Sequence, residues 1–342
     1  LKISENQSLK HYHTFGIDVS ARFFVTIDAE TDLELLFTEK EYDHMLRMED
    51  GFLVIGEGSN ILFTKNFNGC IIHNKIRGIQ VIQEQESMLR VRTGAGEHWH
   101  DFVLFAIHQG WGGIENLSLI PGTVGATPVQ NIGAYGIEVA DVIESVRIFN
   151  TQILQWKELD NTDCRFGYRD SIFKQELKGR AIISSVLYKL QKKHTLCLEY
   201  GAIRDELTKR NILNPTIEDI SSIVCAIRSS KLPDPKQKGN AGSFFKNPVV
   251  EEKIFKHIST NHPIVPNHRT DDGYKIPAGW LIEQAGWKGH RDGPVGCYEK
   301  QALILVNHGG ANGKDVVRLA NRIRVSVKEK FGIDLQPEVN II

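Results

Sequence analysis

Along the chain the apolar positions change period several times, and each change marks an element. Residues 21–27 read as a strand, and Leu33, Leu35, Leu36 and Phe37 follow at helical spacing behind a capping-box pattern of Thr31 with Glu34. The run Phe52-Leu53-Val54-Ile55 returns as a second strand and completes a βαβ-like opening that ends in Gly56-Glu57-Gly58-Ser59-Asn60. Short strands are predicted at Cys70-Ile71-Ile72, Ile79-Gln80-Val81-Ile82 and Leu89-Arg90-Val91-Arg92. Trp99, Phe102, Val103, Ala106 and Ile107 then describe a helix over 97–109 that Gly110 stops. Strands over 142–149 and 180–190, a short charged helix over 204–209 and a helix from Ile217 to Arg228, with Pro215 near its first position, carry the pattern onward.

Leu232-Pro233-Asp234-Pro235 cannot continue that last helix, which places a domain boundary near 229. Beyond it lies a smaller α/β unit: helices over 251–259, 278–286 and 314–331, and a buried strand over 302–306. The last helix shows a stripe of Val316, Val317, Ala320, Ile323, Val327 and Phe331. The segment Leu335-Gln336-Pro337-Glu338-Val339 is extended beside apolar residues, and either returns to the first domain or ends as a solvated tail.

One stretch fits neither period. Residues 121–136, Pro-Gly-Thr-Val-Gly-Ala-Thr-Pro-Val-Gln-Asn-Ile-Gly-Ala-Tyr-Gly, are too irregular for a helix and too poor in charge for a surface linker. They read as a buried wall whose main-chain amides approach a ligand, with a structural crossover of glycine turns as the plain alternative. The turn 56–60 could likewise cradle phosphate oxygens or simply be a tight turn. It lacks the third glycine and following helix of a dinucleotide fingerprint, and has no Gly-Lys-Ser/Thr ending.

Composition narrows the class. With 41 Lys+Arg against 42 Asp+Glu the formal charge is -1, so no bulk field recruits nucleic acid or an anionic membrane. Five cysteines, scattered and without any C-x-x-C, point to a reducing compartment and away from a zinc or iron-sulfur site, so redox chemistry here requires an organic cofactor. No apolar run reaches membrane-spanning length and residues 1–10 carry no signal-peptide pattern, which makes the cytoplasm the expected location. Hydrolase and metallopeptidase motifs are absent, and the thirteen histidines are dispersed. His98 and His100 do not share a helix face, and no metal site is expected. What remains are loop residues beside glycine: Arg169, Ser243 and Glu338, with Tyr168, Tyr200, Arg228, Lys231, Asn247 and Gln301 as binders. Arg165 reads as a structural salt bridge or stack, and Ser243 alone would pass for a turn cap.

Taken in order, residues 56–60, 121–136, Arg165-Phe166-Gly167-Tyr168-Arg169-Asp170-Ser171, 239–248 and Pro337-Glu338 make the chain resemble the UDP-N-acetylenolpyruvoylglucosamine reductase family across about residues 14–339. The resemblance implies an α/β (α+β) fold with an FAD-binding region of the vanillyl-alcohol-oxidase/PCMH type. That region would span 1–228 in two subdomains, about 1–75 and 76–228, with 333–342 returning to it and 229–332 forming a C-terminal substrate domain. It implies that Gly56, Glu57, Gly58, Ser59 and Asn60, with Pro121, Gly122, Thr123, Gly125, Ala126 and Gly133, hold bound FAD.

By the same resemblance NADPH reduces FAD, leaves, and is replaced by UDP-N-acetylglucosamine enolpyruvate. Hydride passes from flavin N5 to C3 of the enolpyruvyl group, giving UDP-N-acetylmuramate for peptidoglycan. Arg169 and Glu338, the latter protonated and hydrogen-bonding, would stabilise the charge that develops toward the carboxylate, and Ser243 would donate the proton to C2. Tyr168, Tyr200, Arg228, Lys231, Asn247 and Gln301 would hold the substrate. Tyr200 resembles the flap tyrosine of one structural type, although Ala202-Ile203 departs from that type's acidic-plus-leucine pair. A small-molecule UDP-sugar is the only partner implied, with no nucleic acid, membrane insertion or protein partner. The rival is an FAD-dependent sugar or alcohol oxidase of the same superfamily, which would not be expected to have the 239–248 serine loop or the terminal Pro337-Glu338 pair.

Overall fold

The computed structural model describes all 342 residues and resolves the chain into two compact units, one of residues 1–7, 21–57 and 67–230, the other of 8–20, 58–66 and 231–342. No helix is long and apolar enough to cross a membrane.

The first unit is built on two larger sheets, beside a two-stranded ribbon of Gly133–Ala134 and Ile137–Glu138. In the smaller, Lys2–Ser8, Ser20–Ile27, Phe67–Asn74 and Phe52–Ile55 lie in that spatial order. The two strands of the opening are therefore not neighbours: Phe67–Asn74, with the side chains of Phe67, Cys70, Ile71 and Ile72 buried, runs parallel between them. A strand that is hydrophobic on both faces belongs in the middle of a sheet. The helix Glu30–Thr38 follows, and Leu33 and Leu36 are buried as its spacing predicts. Its start is set differently from the Thr31/Glu34 expectation. Asp32 Oδ2 accepts the amides of Asp28 at 2.8 Å and Ala29 at 3.0 Å, so the carboxylate one turn in closes the helix and Thr31 lies inside it.

The larger sheet has the order Gln155–Asp160, Ile143–Asn150, Ala181–Gln191, Met88–Gly94, Ile79–Glu84, all antiparallel. Phe149 and Ile182 of this sheet join the core formed with Leu33, Leu36, Val25 and Ile72, so one face of the helix Glu30–Thr38 packs into a core shared by the two sheets while Thr31, Glu34 and Leu35 stay exposed. At its edge Arg147 donates to both carboxylate oxygens of Glu30, at 2.7 and 3.0 Å, while Ser184 donates to one at 2.7 Å. Desolvation pushes the Glu30 carboxyl up, but these hydrogen bonds outweigh it and hold it below its ordinary value.

On the larger sheet lies the helix Trp99–His108, with Trp99, Phe102, Val103, Ala106 and Ile107 all buried; Trp99 and Phe102 pack on Tyr188 with ring centroids 5.9 and 5.2 Å away. Gly110, at φ 74°, takes the left-handed turn that ends it. The helices Gly201–Lys209 and Ile217–Lys231 pair through Ile203, Leu207, Ile220, Ile223, Val224 and Ile227. The second is capped by Thr216 rather than started by Pro215: Asp219 N donates to Thr216 Oγ1 at 3.3 Å and Thr216 N to Asp219 Oδ2 at 2.9 Å.

In the second unit the sheet Arg291–Asp292, Val295–Cys297, Leu305–Asn307 packs against the helix Gly313–Phe331. Asn312 caps that helix through the Asp315 amide at 3.0 Å, and Gly332, at φ 70°, closes it. Its buried stripe is Val316, Leu319, Ala320, Ile323, Val327 and Phe331. Leu319 stands where the sequence pattern suggested Val317, because one residue past Val316 is a rotation of about 100° away from the core.

Candidate active site

In the first unit the irregular stretch is fastened from behind by the N-terminal turn of the helix Trp99–His108. Trp99 Nε1 donates to Leu117 O at 2.9 Å, Trp99 N to Gly122 O at 2.9 Å, and the Leu119 amide donates to His100 Nδ1 at 2.9 Å. Val124 N reaches Glu97 O and Gly125 N reaches Ala95 O, each at 2.9 Å. A side chain on Gly125 would sit 2.6 Å from Ala95 Cβ, so only glycine allows this approach. The result is a stretch tied to the helix and to residues 95–97 bond by bond, with a single helical turn at Val124–Ala126.

Glu57 joins this stretch to the exit of the strand Phe52–Ile55. One carboxylate oxygen accepts the Gly122 amide at 2.6 Å and the other pairs with His98 Nδ1. Its side chain thus ties the stretch to His98. His98 and His100, set aside in the sequence because they share no helix face and mark no metal, are anchors. Nothing local could have disclosed it, since His98 meets a partner 41 residues away and His100 one 19 residues away.

Further along, Arg169 sits at φ 53° and its guanidinium donates to Asn131 O at 3.3 Å and Gly133 O at 2.5 Å. Asn131, itself at φ 44°, donates to Glu138 Oε2 at 2.7 Å and Gly167 O at 3.1 Å, and Ser171 Oγ donates to Val129 O at 2.6 Å. The 165–171 segment is in this way stitched onto residues 129–133, which brings Arg169 and Gly133 together; the Arg169 guanidinium carbon lies 5.4 Å from the Tyr168 ring centre. Arg165 pairs with Glu176 at 2.7 Å on the surface, a structural salt bridge.

Tyr200 is 50% exposed, with its ring edge-on to Tyr135 at 5.1 Å. Arg228 lies behind Tyr135 and donates from Nε to Leu119 O at 3.2 Å. Burial holds the Arg228 guanidinium below its ordinary value, against the pull of Tyr135 and Cys225, and raises the Tyr135 phenol, against Arg228. Lys231 is exposed at the end of the same helix. Tyr135, absent from the sequence-derived set, was hidden within the glycine-rich run.

The remaining residues singled out in the sequence lie in the second unit. Gly58, at φ 59°, fits against the backbone of Tyr12 and His13, where a side chain would collide. Asn60 Nδ2 donates to Glu338 O at 3.2 Å, and Asn340 N returns a bond to Asn60 O at 3.0 Å as Asn340–Ile341 pairs in parallel with Ile61–Leu62. The tail is therefore structured, with Leu335 and Val339 buried. Glu338 N donates to Phe244 O at 2.8 Å, and Phe244 N to Leu303 O at 2.9 Å. Ser243 bridges to Ile304 and Phe245 to Pro337, which puts the exposed Ser243 and the half-buried Glu338 on adjoining extended segments. Asn247 Oδ1 accepts the Ala278 amide at 2.9 Å, and Gln301 Oε1 the Leu303 amide at 3.4 Å.

Comparison with known proteins matches residues 45–152 to an FAD binding domain and residues 234–342 to the UDP-N-acetylenolpyruvoylglucosamine reductase C-terminal domain. The UDP-N-acetylenolpyruvoylglucosamine reductase of Flavobacterium johnsoniae is 44% identical over 344 residues, covering 100% of both chains. That of Pseudomonas aeruginosa is 45% identical over 343 residues, covering 100% of this chain and 99% of its own. The solved UDP-N-acetylenolpyruvylglucosamine reductase from Thermus caldophilus superimposes with a TM-score of 0.68 over 99% of this chain and 98% of its own; at 22% identity it shows the shared fold.

Proposed function

Because the chain belongs to the UDP-N-acetylenolpyruvoylglucosamine reductase family, we propose that it reduces UDP-N-acetylglucosamine enolpyruvate to UDP-N-acetylmuramate with NADPH as reductant and FAD as cofactor. The observation that carries this reading is full-length identity of 44% to a reductase of that name. The oxidase alternative is weaker, since residues 234–342 match the reductases' own C-terminal domain. The product belongs to peptidoglycan precursor synthesis, and through the wall to cell shape and division; the cytoplasm is the compartment this chemistry suits.

The residues present fit FAD. The turns at 56–60 and 122–126 offer main-chain amides to phosphate oxygens. Buried beside Gly58, His13 Nδ1 and Thr14 Oγ1 have no protein partner, as expected of groups that meet a polar ligand. The cofactor set is Gly56, Gly58, Ser59, Asn60, Pro121, Gly122, Thr123, Gly125, Ala126 and Gly133, with Glu57 acting through its hold on Gly122. When bound, FAD accepts the reducing equivalents of NADPH and delivers a hydride to C3 of the enolpyruvyl group.

The protein's own groups handle charge and proton. Arg169, its fork already oriented by Asn131 and Gly133, offers N–H donors to the carboxylate as negative charge moves onto it, and Glu338 supports the same charge as a protonated donor. Ser243 gives its hydroxyl proton to C2. Tyr168, Tyr200, Arg228, Lys231, Asn247 and Gln301 hold the uridine nucleotide and sugar, with the exposed Tyr200 closing over the nucleotide. The FAD-binding region comprises residues 1–228 with 333–342, and 229–332 form the substrate domain.

Incubation without oxygen is expected to consume NADPH in equal amount to product, with the substrate gaining two hydrogens by mass spectrometry. No product without oxygen, with peroxide formed and the enolpyruvyl group left intact when air is admitted, would replace this reading by the oxidase.

A further inference from the structure

Leu119 enters the glycine-rich stretch at φ 58°, a conformation that a leucine keeps only where its surroundings impose it. Both of its main-chain polar groups are held by side chains from different helices. Its amide donates to His100 Nδ1 at 2.9 Å, and its carbonyl accepts from Arg228 Nε at 3.2 Å. Three residues on, Gly122 is held through both its own groups, by Trp99 N and by Glu57. The direction in which residues 120–123 leave their anchor is thus fixed at Leu119 and Gly122.

A main-chain N–H can only donate, so His100 Nδ1 must carry the lone pair. That assigns the ring proton to Nε2, which faces Cys225 Sγ at 4.0 Å. The charged and titratable groups around the ring are Asp101 on its own helix and Cys225 and Arg228 on the helix Ile217–Lys231.

We propose that His100 is a positioning residue for the cofactor: its unprotonated Nδ1 holds Leu119 left-handed, so aiming the amides of 122–126, and FAD retention depends on that bond. This rests on the reading that residues 121–126 hold FAD. Burial lowers the His100 pKa from 6.5, with Asp101 opposing and Arg228 adding to the effect. The neutral ring and its bond therefore persist above a value lying under 6.5 and are lost as pH falls through it, because a protonated Nδ1 would set N–H against N–H.

The test follows FAD release from holoenzyme on dilution, by recovery of flavin fluorescence, between about pH 5 and pH 8 where histidine titrates. His100→Leu removes the acceptor and is expected to weaken FAD binding about tenfold at neutral pH. In His100→Asn the side-chain oxygen replaces Nδ1 without being able to take a proton. It is expected to hold FAD as wild type does at neutral pH and to lose the wild type's acid-induced release. A His100→Leu protein that keeps FAD with the wild-type profile overturns the proposal. So does a His100→Asn protein that releases FAD in acid as wild type does, and this arm decides alone should the leucine variant not fold. Hydrogen exchange at the Leu119 amide supplies a readout without flavin: faster exchange in His100→Leu with unaltered FAD release would confine the bond to a structural role and overturn the proposal. Wild-type protein that never carries FAD overturns the cofactor reading itself, an outcome distinct from both.

Discussion

Ser243→Ala leaves flavin bleaching by NADPH at the wild-type rate and slows flavin reoxidation by the enolpyruvyl substrate by about 10²–10⁴-fold, the range carried by one positioned proton donor. A serine hydroxyl is a weak acid, and it serves only where it is aligned on a strongly basic centre. The backbone that carries Ser243 is held by hydrogen bonds on both sides. Phe244 is bonded on one side to Leu303 and on the other to Glu338, Ser243 itself bridges to Ile304, and the Gly242 amide is held by Asn240 Oδ1 at 2.9 Å. The side chain is exposed, so removing its oxygen changes stability by no more than about 0.5 kcal/mol. Thermal denaturation of the variant is expected to match wild type, and Ser243→Cys to recover part of the lost rate. Reoxidation unaffected by Ser243→Ala would assign the proton to another group.

Arg169→Gln lowers kcat for the substrate half-reaction by about 10²–10³-fold, as loss of one preorganised charge-stabilising donor does. Arg169→Lys recovers only part of it, because an ammonium lacks the planar fork. The structure also gives Arg169 two carbonyls to hold, Asn131 O and Gly133 O, so the variant could weaken the cofactor site instead. The two effects separate by measurement. Loss of transition-state stabilisation leaves FAD release unchanged, whereas a loosened wall shows as faster release in proportion to the lost rate, and that second result would make Arg169 a strut.

The sequence carried local periodicity well and long-range pairing poorly. The helix Trp99–His108 and its glycine stop were legible because the stripe Trp99, Phe102, Val103, Ala106, Ile107 is encoded within one element. The strand Phe67–Asn74 is equally apolar, but its insertion between Ser20–Ile27 and Phe52–Ile55 is a matter of tertiary pairing that no local pattern expresses. Caps failed for a related reason. Thr31 and Pro215 are good start signals, yet Asp32 closes the first helix by accepting the Asp28 and Ala29 amides, and the next is capped by the hydroxyl of Thr216, one residue past Pro215.

Residues 121–136 stood out because glycine and proline without charge have few structural uses. Its anchors did not, since Glu57, backed by His98, reaches Gly122 from distant sequence and His100 and Arg228 hold Leu119 just before it. The resemblance places Glu57 with the cofactor residues of the 56–60 turn, and its carboxylate is engaged by Gly122 and His98.

Anaerobic stopped-flow on the purified protein, mixing first with NADPH and then with UDP-N-acetylglucosamine enolpyruvate, tests the central claim most directly. The account predicts that the flavin spectrum bleaches with NADPH and returns promptly on addition of the enolpyruvyl substrate in the absence of oxygen. A flavin that bleaches but regains its spectrum only when oxygen is admitted would contradict it.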